Sequence, residues 1–427
     1  MASVAIDLWV YAIEVGGKRT VLNMRITGIE VINLHFSYPN GRGFCYAGGT
    51  VTGRVTSVIR ISTDKGLEGL GAAYSHPDLV RIIIEKHLQP HLLGSDPLEI
   101  EGHWDKMYQL TRWYGRKGVA ISALGGVDIA LWDLRGKVSG LPLYKLLGGE
   151  QNTVPAYASG LLWQDDLSLL EKEAARYRSR GFRRVKMRLG RGEAYDLAAV
   201  EAVRRGVGRD GEVIIDGSHR YTLDTAERVG RFLASQKVFW FEEPFPPEDI
   251  DTYAALRARV GIPLAAGEND FGAQGFRELL RSNAVDIVQP DACRAGGVTE
   301  CMRIGRMAGK AGVRVAPHTW SDAVALTANA HVAAALPNSI TVEVDQTGNP
   351  FIEDLLQEPL NIKDGLLHLS DEPGLGIKLN RETVKRLTMD SHLLVPEGNY
   401  SDLIFGANHW STPPPYEVSH PDKETKV

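Results

Sequence analysis

VIID (213–216), WFEE (240–243), LAAGE (264–268), IVQPD (287–291) and VAPH (315–318) are short apolar runs, each closed by chargeable residues. Asp216, Glu242, Glu268, Asp291 and His318 stand 26, 26, 23 and 27 positions apart. A strand, a loop, a helix and a return loop use about that much chain, so the beat predicts successive β/α units. The same reading extends outward to VPAYAS (154–159), RRVKMRL (183–189) and ITVEVD (340–345), with amphipathic helical patterns between the runs. Continuous apolar strands alternating with such helices predict a parallel sheet covered on both faces. Eight of them within about 190 residues predict closure into a (β/α)8, TIM-like barrel, with polar strand ends converging on one mouth.

The region ahead of the barrel reads differently. RITGIEVINL (25–34), VTSVIRIST (55–63) and LEGLGAAY (67–74) alternate apolar and polar residues, which predicts an antiparallel meander. Helical patterns follow over 79–94, 97–113 and 120–140, the last stopped by Gly140. The expected division is an N-terminal arm (1–23), an α+β capping domain (24–150), the barrel (151–349), a return segment (350–395) packing back on the cap, and a tail (396–427).

Net charge −5 gives no basic footprint for nucleic acid. No apolar run reaches the roughly 18 residues of a membrane span. Three scattered cysteines (Cys45, Cys293, Cys301) make neither a disulfide framework nor a zinc knuckle, and favour a reducing cytoplasm. The apolar N-terminus lacks a basic n-region and carries Asp7 and Glu14, so it reads poorly as a signal peptide.

Asp216, Glu242 and Glu268 close three consecutive strands. One such carboxylate alone is most simply a helix cap; three in successive units repel one another unless a cation neutralises them. Hard oxygen donors without Cys or His point to Mg²⁺, with Mn²⁺ a possible substitute. Alternation puts Glu242 and Glu243 on opposite faces, so only one is a ligand; the even spacing, and the resemblance given below, select Glu242. Lys186 and Arg188 share one face of VKMRL, and charges inside a buried strand are rare without a purpose. Three carboxylates, one Mg²⁺ and these two cations total about +1, which suits a substrate with one carboxylate. Asp291 and His318 close adjacent strands; an Asp that fixes an imidazole makes a general base. His219 and His76 fall close to the expected mouth and are candidate substrate contacts.

From Met24 to about residue 390 the chain resembles the enolase superfamily, in its mandelate racemase subgroup. The resemblance rests on the K-x-R pair Lys186/Arg188, the trio Asp216, Glu242 and Glu268, the string PDACRAGGVTE (290–300) and the Asp291–His318 pair. It implies a modified TIM-like barrel under an α+β cap, Mg²⁺ at the trio, and Glu343 as a substrate hydrogen-bonding partner. It also implies cap loops that touch substrate, here SYPNGRGFCYAGG (37–49), with Arg42 and Tyr46, and AAYSHPD (72–78), with His76. The chemistry that the resemblance implies is removal of a proton α to a carboxylate through an enediolate. Arg188 departs from the racemase pattern of a second lysine; a guanidinium stays protonated and serves as a clamp, not a base. The expected reaction is dehydration of an aldonate or aldarate sugar acid to a 2-keto-3-deoxy acid, by a homo-oligomer. Racemisation or epimerisation, cycloisomerisation of a sugar-acid lactone, and a non-catalytic binding protein on the same fold are the alternatives.

Overall fold

The computed structural model describes residues 13–15, 18–20, 23–41, 43–389, 403–405 and 415–418. Arg42, most of the arm and most of the tail lie outside the described residues. Among the described residues no helix is long and apolar enough to cross a membrane.

A meander of strands Ile26–Ser37, Gly49–Thr63 and Glu68–Ala73 forms the cap sheet, with Ile59 paired to both Val31 and Gly71. Helix Val119–Ser139 lies against it. Glycines permit that close approach: a Cβ on Gly71 would stand 2.0 Å from the Gly126 carbonyl oxygen, and one on Gly69 2.1 Å from that of Ala130. The cap core is aliphatic, built from Ile59, Ile61, Leu124, Val127 and Leu131 with Trp104.

The barrel strands, in order, are Thr153–Ser159, Arg184–Arg188, Glu212–Asp216, Trp240–Glu242, Leu264–Ala266, Ile287–Val288, Arg314–Val315 and Val342–Asp345. All pair in parallel, and strand eight closes on strand one with Glu343 beside Tyr157. Between strands seven and eight the closure runs through Val315 N–H to Asn338 O (2.9 Å) and Ile340 N–H to Val315 O (2.9 Å). Alternation sorts the side chains. Val213, Ile215, Phe241, Leu264 and Val288 join the core shared with the surrounding helices. Tyr157, Ile214, Trp240, Ala265, Ile287 and Ala316 pack together as a separate layer inside the barrel. Asp216, Glu242 and His318 each stand two residues beyond a member of this layer, so they point inward above an apolar floor.

The return segment differs from the expectation in part. Its hairpin Asn361–Lys363 and Leu366–His368 adds antiparallel to barrel strand one, with Leu367 opposite Val154, before the chain reaches the cap. Strand one has a free edge near Thr153, below the point where it meets strand eight, and the hairpin covers it. Contact with the cap follows the hairpin, as expected of the segment: Leu375 N–H donates to Asp133 Oδ1 (2.7 Å), Gly374 N–H to Leu141 O (3.0 Å) and Met389 N–H to Asn33 O (2.8 Å). His331 locks this arrangement from a buried position: Tyr144 N–H donates to its Nδ1 (3.0 Å) and its Nε2 faces Leu375 O at 3.2 Å.

Burial lowers the His331 imidazole to about 4, against a smaller opposing effect of the Leu375 carbonyl. Its contribution to stability is therefore full above the unfolded value of 6.5 and is lost as pH falls through about 4. That loss amounts to roughly 3 kcal/mol. Thermal midpoints measured across this window should fall more steeply for the wild type than for His331→Gln; parallel curves would contradict the assignment.

Candidate active site

The strand ends bring Asp216, Glu242 and Glu268 together: one carboxylate oxygen from each lies within 4.8 Å of the others. Asp216 and Glu242 are buried, Glu268 partly so. Burial pushes Glu242 up to about 8; Lys186 pulls it back, and repulsion from Asp216, Glu268 and Glu343 adds to the rise. Glu268 Oε2 is enclosed and accepts no hydrogen bond among the described residues. Mutually repelling oxygens with an unused acceptor fit a hard divalent cation.

Two cations stand against this acidic group. Lys186 Nζ is 2.8 Å from Glu242 Oε1, 2.7 Å from Glu343 Oε1 and 3.7 Å from Asp216 Oδ2. Burial works against its charge, but Glu242, Glu343 and Asp216 prevail over burial and Arg188 and hold the ammonium above its ordinary value. Arg188 bonds Asp216 Oδ2, and its guanidinium lies 5.8 Å from the Tyr46 ring and 5.2 Å from that of Trp320.

His318 is fixed through Nδ1, 2.9 Å from Asp291 Oδ2. The other Asp291 oxygen accepts from Cys293 N–H (2.9 Å) and Asn329 Nδ2 (2.8 Å), so the carboxylate cannot turn away. This leaves Nε2 facing the cluster, 3.5 Å from Glu268 Oε2 and 3.7 Å from Glu343 Oε2. Burial lowers the imidazole, yet Glu268, Glu343 and Asp291 raise it to about 9. Glu268's share of that pull weakens once its charge is shared with a cation, which moves His318 toward the range of a base. Glu343 Oε2 also accepts from Thr319 N–H at 3.2 Å.

His219 Nε2 lies 2.5 Å from Glu243 Oε2. Burial opposes its charge, but Glu243, Glu268 and Asp216 raise it to about 9. Glu243 also accepts from Asn269 Nδ2 (2.7 Å), whose Oδ1 accepts from Arg294 Nη2 (2.9 Å). Alternation thus separates the Glu242–Glu243 pair into one residue facing the trio and one binding His219. Of the cap candidates, Tyr46 reaches Arg188. His76 precedes the helix starting at Pro77, and its Nδ1 is enclosed without a partner among the described residues. Arg42 is outside the described residues.

Several neighbours escaped the sequence reading. Tyr74 stacks on His318 (5.8 Å between centroids, 30°). Trp240 Nε1 donates to Glu242 Oε2 at 2.9 Å. Trp320 holds Arg188 on one side and lies 5.3 Å from the buried Arg54, which pairs with Asp345 at 2.5 Å. Trp240 could have been found, since it shares Glu242's face two residues earlier. The cap contacts carry no local signal.

The profile of the mandelate racemase / muconate lactonizing enzyme N-terminal domain matches residues 29–148, and that of the enolase C-terminal domain-like family matches residues 169–383. This chain belongs to the mandelate racemase branch of the enolase superfamily. It is 39% identical over 321 residues to arabinonate dehydratase of Saccharolobus solfataricus, covering 74% of this chain and 86% of that one. It is 36% identical over 348 residues to D-galactarolactone cycloisomerase of Agrobacterium fabrum, covering 79% and 92%. The crystal structure of L-talarate dehydratase from Polaromonas sp. JS666, complexed with Mg and L-glucarate, superimposes with a TM-score of 0.76 at 32% identity, covering 86% and 98%. Like these superfamily members, the chain carries its cap sheet and barrel as one α/β framework, and acid-sugar chemistry is common to these relatives.

Asp291→Asn retains the shape but not the charge that orients His318. It should lower turnover by about 10²–10⁴-fold while leaving the far-UV spectrum and thermal midpoint close to wild type. Unchanged turnover would show that the pair has no part in the chemistry.

Proposed function

We propose that the protein is a Mg²⁺-dependent sugar-acid dehydratase acting on an aldonate or aldarate. The observation that carries this reading is an oriented base: His318 Nε2, backed by Asp291, faces the acidic trio from one side. Asp216, Glu242 and Glu268 would hold the divalent ion, which supplies positive charge beside a substrate carboxylate whose α-proton is leaving. His318 Nε2 takes that proton. The electron pair left on the α-carbon forms the new C=C bond as the C–O bond at C3 breaks. The imidazolium gives its proton to the departing hydroxyl, and water leaves. The enol then becomes the 2-keto-3-deoxy acid.

The cations support this direction. Arg188 keeps its charge at any physiological pH and suits a hydroxyl or carboxylate of the substrate. Lys186 is committed to Glu242 and Glu343, and an ammonium has no lone pair with which to accept a proton. A two-base racemase would need it free. Glu343, Tyr46, His76 and His219 are proposed substrate contacts around this centre. Three oxygen donors and two fixed cations also exceed what a non-catalytic binding protein requires.

The identity with D-galactarolactone cycloisomerase favours one second reading, in which a ring oxygen takes the place of the leaving hydroxyl. Incubation of the Mg²⁺-loaded enzyme with a library of sugar acids, followed by a 2-keto assay and mass spectrometry, separates the two. Dehydration gives a keto acid lighter by one water. An isomeric keto acid of unchanged mass would establish the cycloisomerase instead, and α-proton exchange without keto acid an epimerase. Chelation should abolish turnover and Mg²⁺ restore it; activity that survives thorough chelation would contradict the assigned role of the trio.

A further inference from the structure

Two short pieces of the chain beyond residue 383, where the family match ends, meet neighbours of Arg188, one in the cap and one in the segments after barrel strands two and three. Leu403–Phe405 pairs antiparallel with cap strand Gly49–Thr63, and all three side chains are buried. Thr52 Oγ1 donates to Ile404 O at 3.2 Å. Phe405 stacks on Tyr46, with centroids 6.1 Å apart and planes 29° apart, and the Tyr46 ring lies 5.8 Å from the Arg188 guanidinium.

The second piece, 415–418, meets the loops that follow barrel strands two and three. Glu193 N–H donates to Glu417 O (2.9 Å), and Tyr416 OH donates to Asp196 Oδ2 (2.9 Å). Asp196 is buried and gathers the loop after Arg188, accepting from Gly190 N–H (3.1 Å) and Arg191 N–H (3.2 Å). It also accepts from Tyr221 OH (2.6 Å), in the loop after Asp216, and the Tyr416 ring lies 4.9 Å from that of Tyr221. Arg220 Nε completes the tie by donating to Gly190 O at 3.1 Å.

We propose that the C-terminal segment is a built-in positioning element for the Arg188 side of the site. Phe405 acts through Tyr46, and Tyr416 acts through Asp196 on the two loops that leave Arg188 and Asp216. The buried Asp196 has a fixed set of donors, and Tyr416 is the one supplied from outside the barrel. Phe405 supplies a flat backing that keeps the Tyr46 ring at the guanidinium. The effect on substrate binding rests on the reading of Arg188 as a substrate clamp; the effect on loop order does not.

The test uses Mg²⁺-loaded full-length protein and the variants Phe405→Ala and Tyr416→Phe, with a chain ending at Met389 as a third. Amide hydrogen exchange of segments 186–196 and 217–222 should speed up by about tenfold in Tyr416→Phe, while segment 264–288 across the barrel stays as in wild type. On the best sugar acid from the library, Phe405→Ala should raise KM about tenfold and change kcat less than about threefold. In an Arg188→Gln background, Phe405→Ala should add nothing to KM, because the partner it positions is gone. Unchanged exchange in the two loops, or equal acceleration on the far side of the barrel, overturns the proposal. So does a Phe405→Ala effect that adds in full to that of Arg188→Gln. The exchange measurement needs no substrate, so a wild type that turns over no sugar acid would sink the dehydratase reading alone.

Discussion

Like charges forced together inside a barrel are the constraint on which the rest of this structure depends. Asp216, Glu242, Glu268 and Glu343 crowd the mouth above an apolar floor, where burial first, and their mutual repulsion in addition, push Glu242 up to about 8. Lys186, bridging Glu242 and Glu343, and Arg188, on Asp216, restrain the cluster from one side. His318 meets it from another side. In the proposed reading, a hard cation held by the trio would offer positive charge to a substrate carboxylate, with Lys186 and Arg188 offsetting part of the acidic charge. The fold's task is to keep these chargeable side chains crowded together at the barrel mouth, most of them cut off from solvent.

How the scaffold does this explains the division of labour. Barrel strands set position, since the step of two from Ile214 to Asp216, Trp240 to Glu242 and Ala316 to His318 leaves no choice of face. Hydrogen bonds set orientation: Asn329 and Cys293 on Asp291, Trp240 on Glu242, Thr319 on Glu343. The cap supplies aromatic surfaces, with Tyr74 on His318 and Tyr46 beside Arg188. Aromatic faces hold cationic groups without competing for their hydrogen-bonding protons.

The barrel and its acidic trio were legible in the sequence because both follow local rules: a repeat of β/α length and a charge at each strand's end. Lys186 and Arg188 were legible for the same reason, as alternating charges in an apolar strand. Tyr74 and Trp320 were not, because their meaning comes from cap–barrel contacts far apart in sequence. The return hairpin was expected on the cap, yet it covers the edge of barrel strand one; its own alternation says that it is a hairpin and nothing about which edge it joins. Alternation put Glu243 on the face away from Glu242, but its bond to His219 joins residues that stand past the strand ends with positive φ angles, which no periodicity announces.

The proposed chemistry turns on His318 as the base that removes a proton from carbon beside a carboxylate. Solvent deuterium followed by NMR in a sugar acid that the enzyme accepts tests it most directly, comparing wild type with His318→Asn under saturating Mg²⁺. With wild type the α-proton signal should be lost, the sugar acid becoming deuterated or turning into keto acid; with the variant it should stay unchanged over the same period although the sugar acid still binds. Exchange or turnover in His318→Asn at a rate near that of wild type would contradict it.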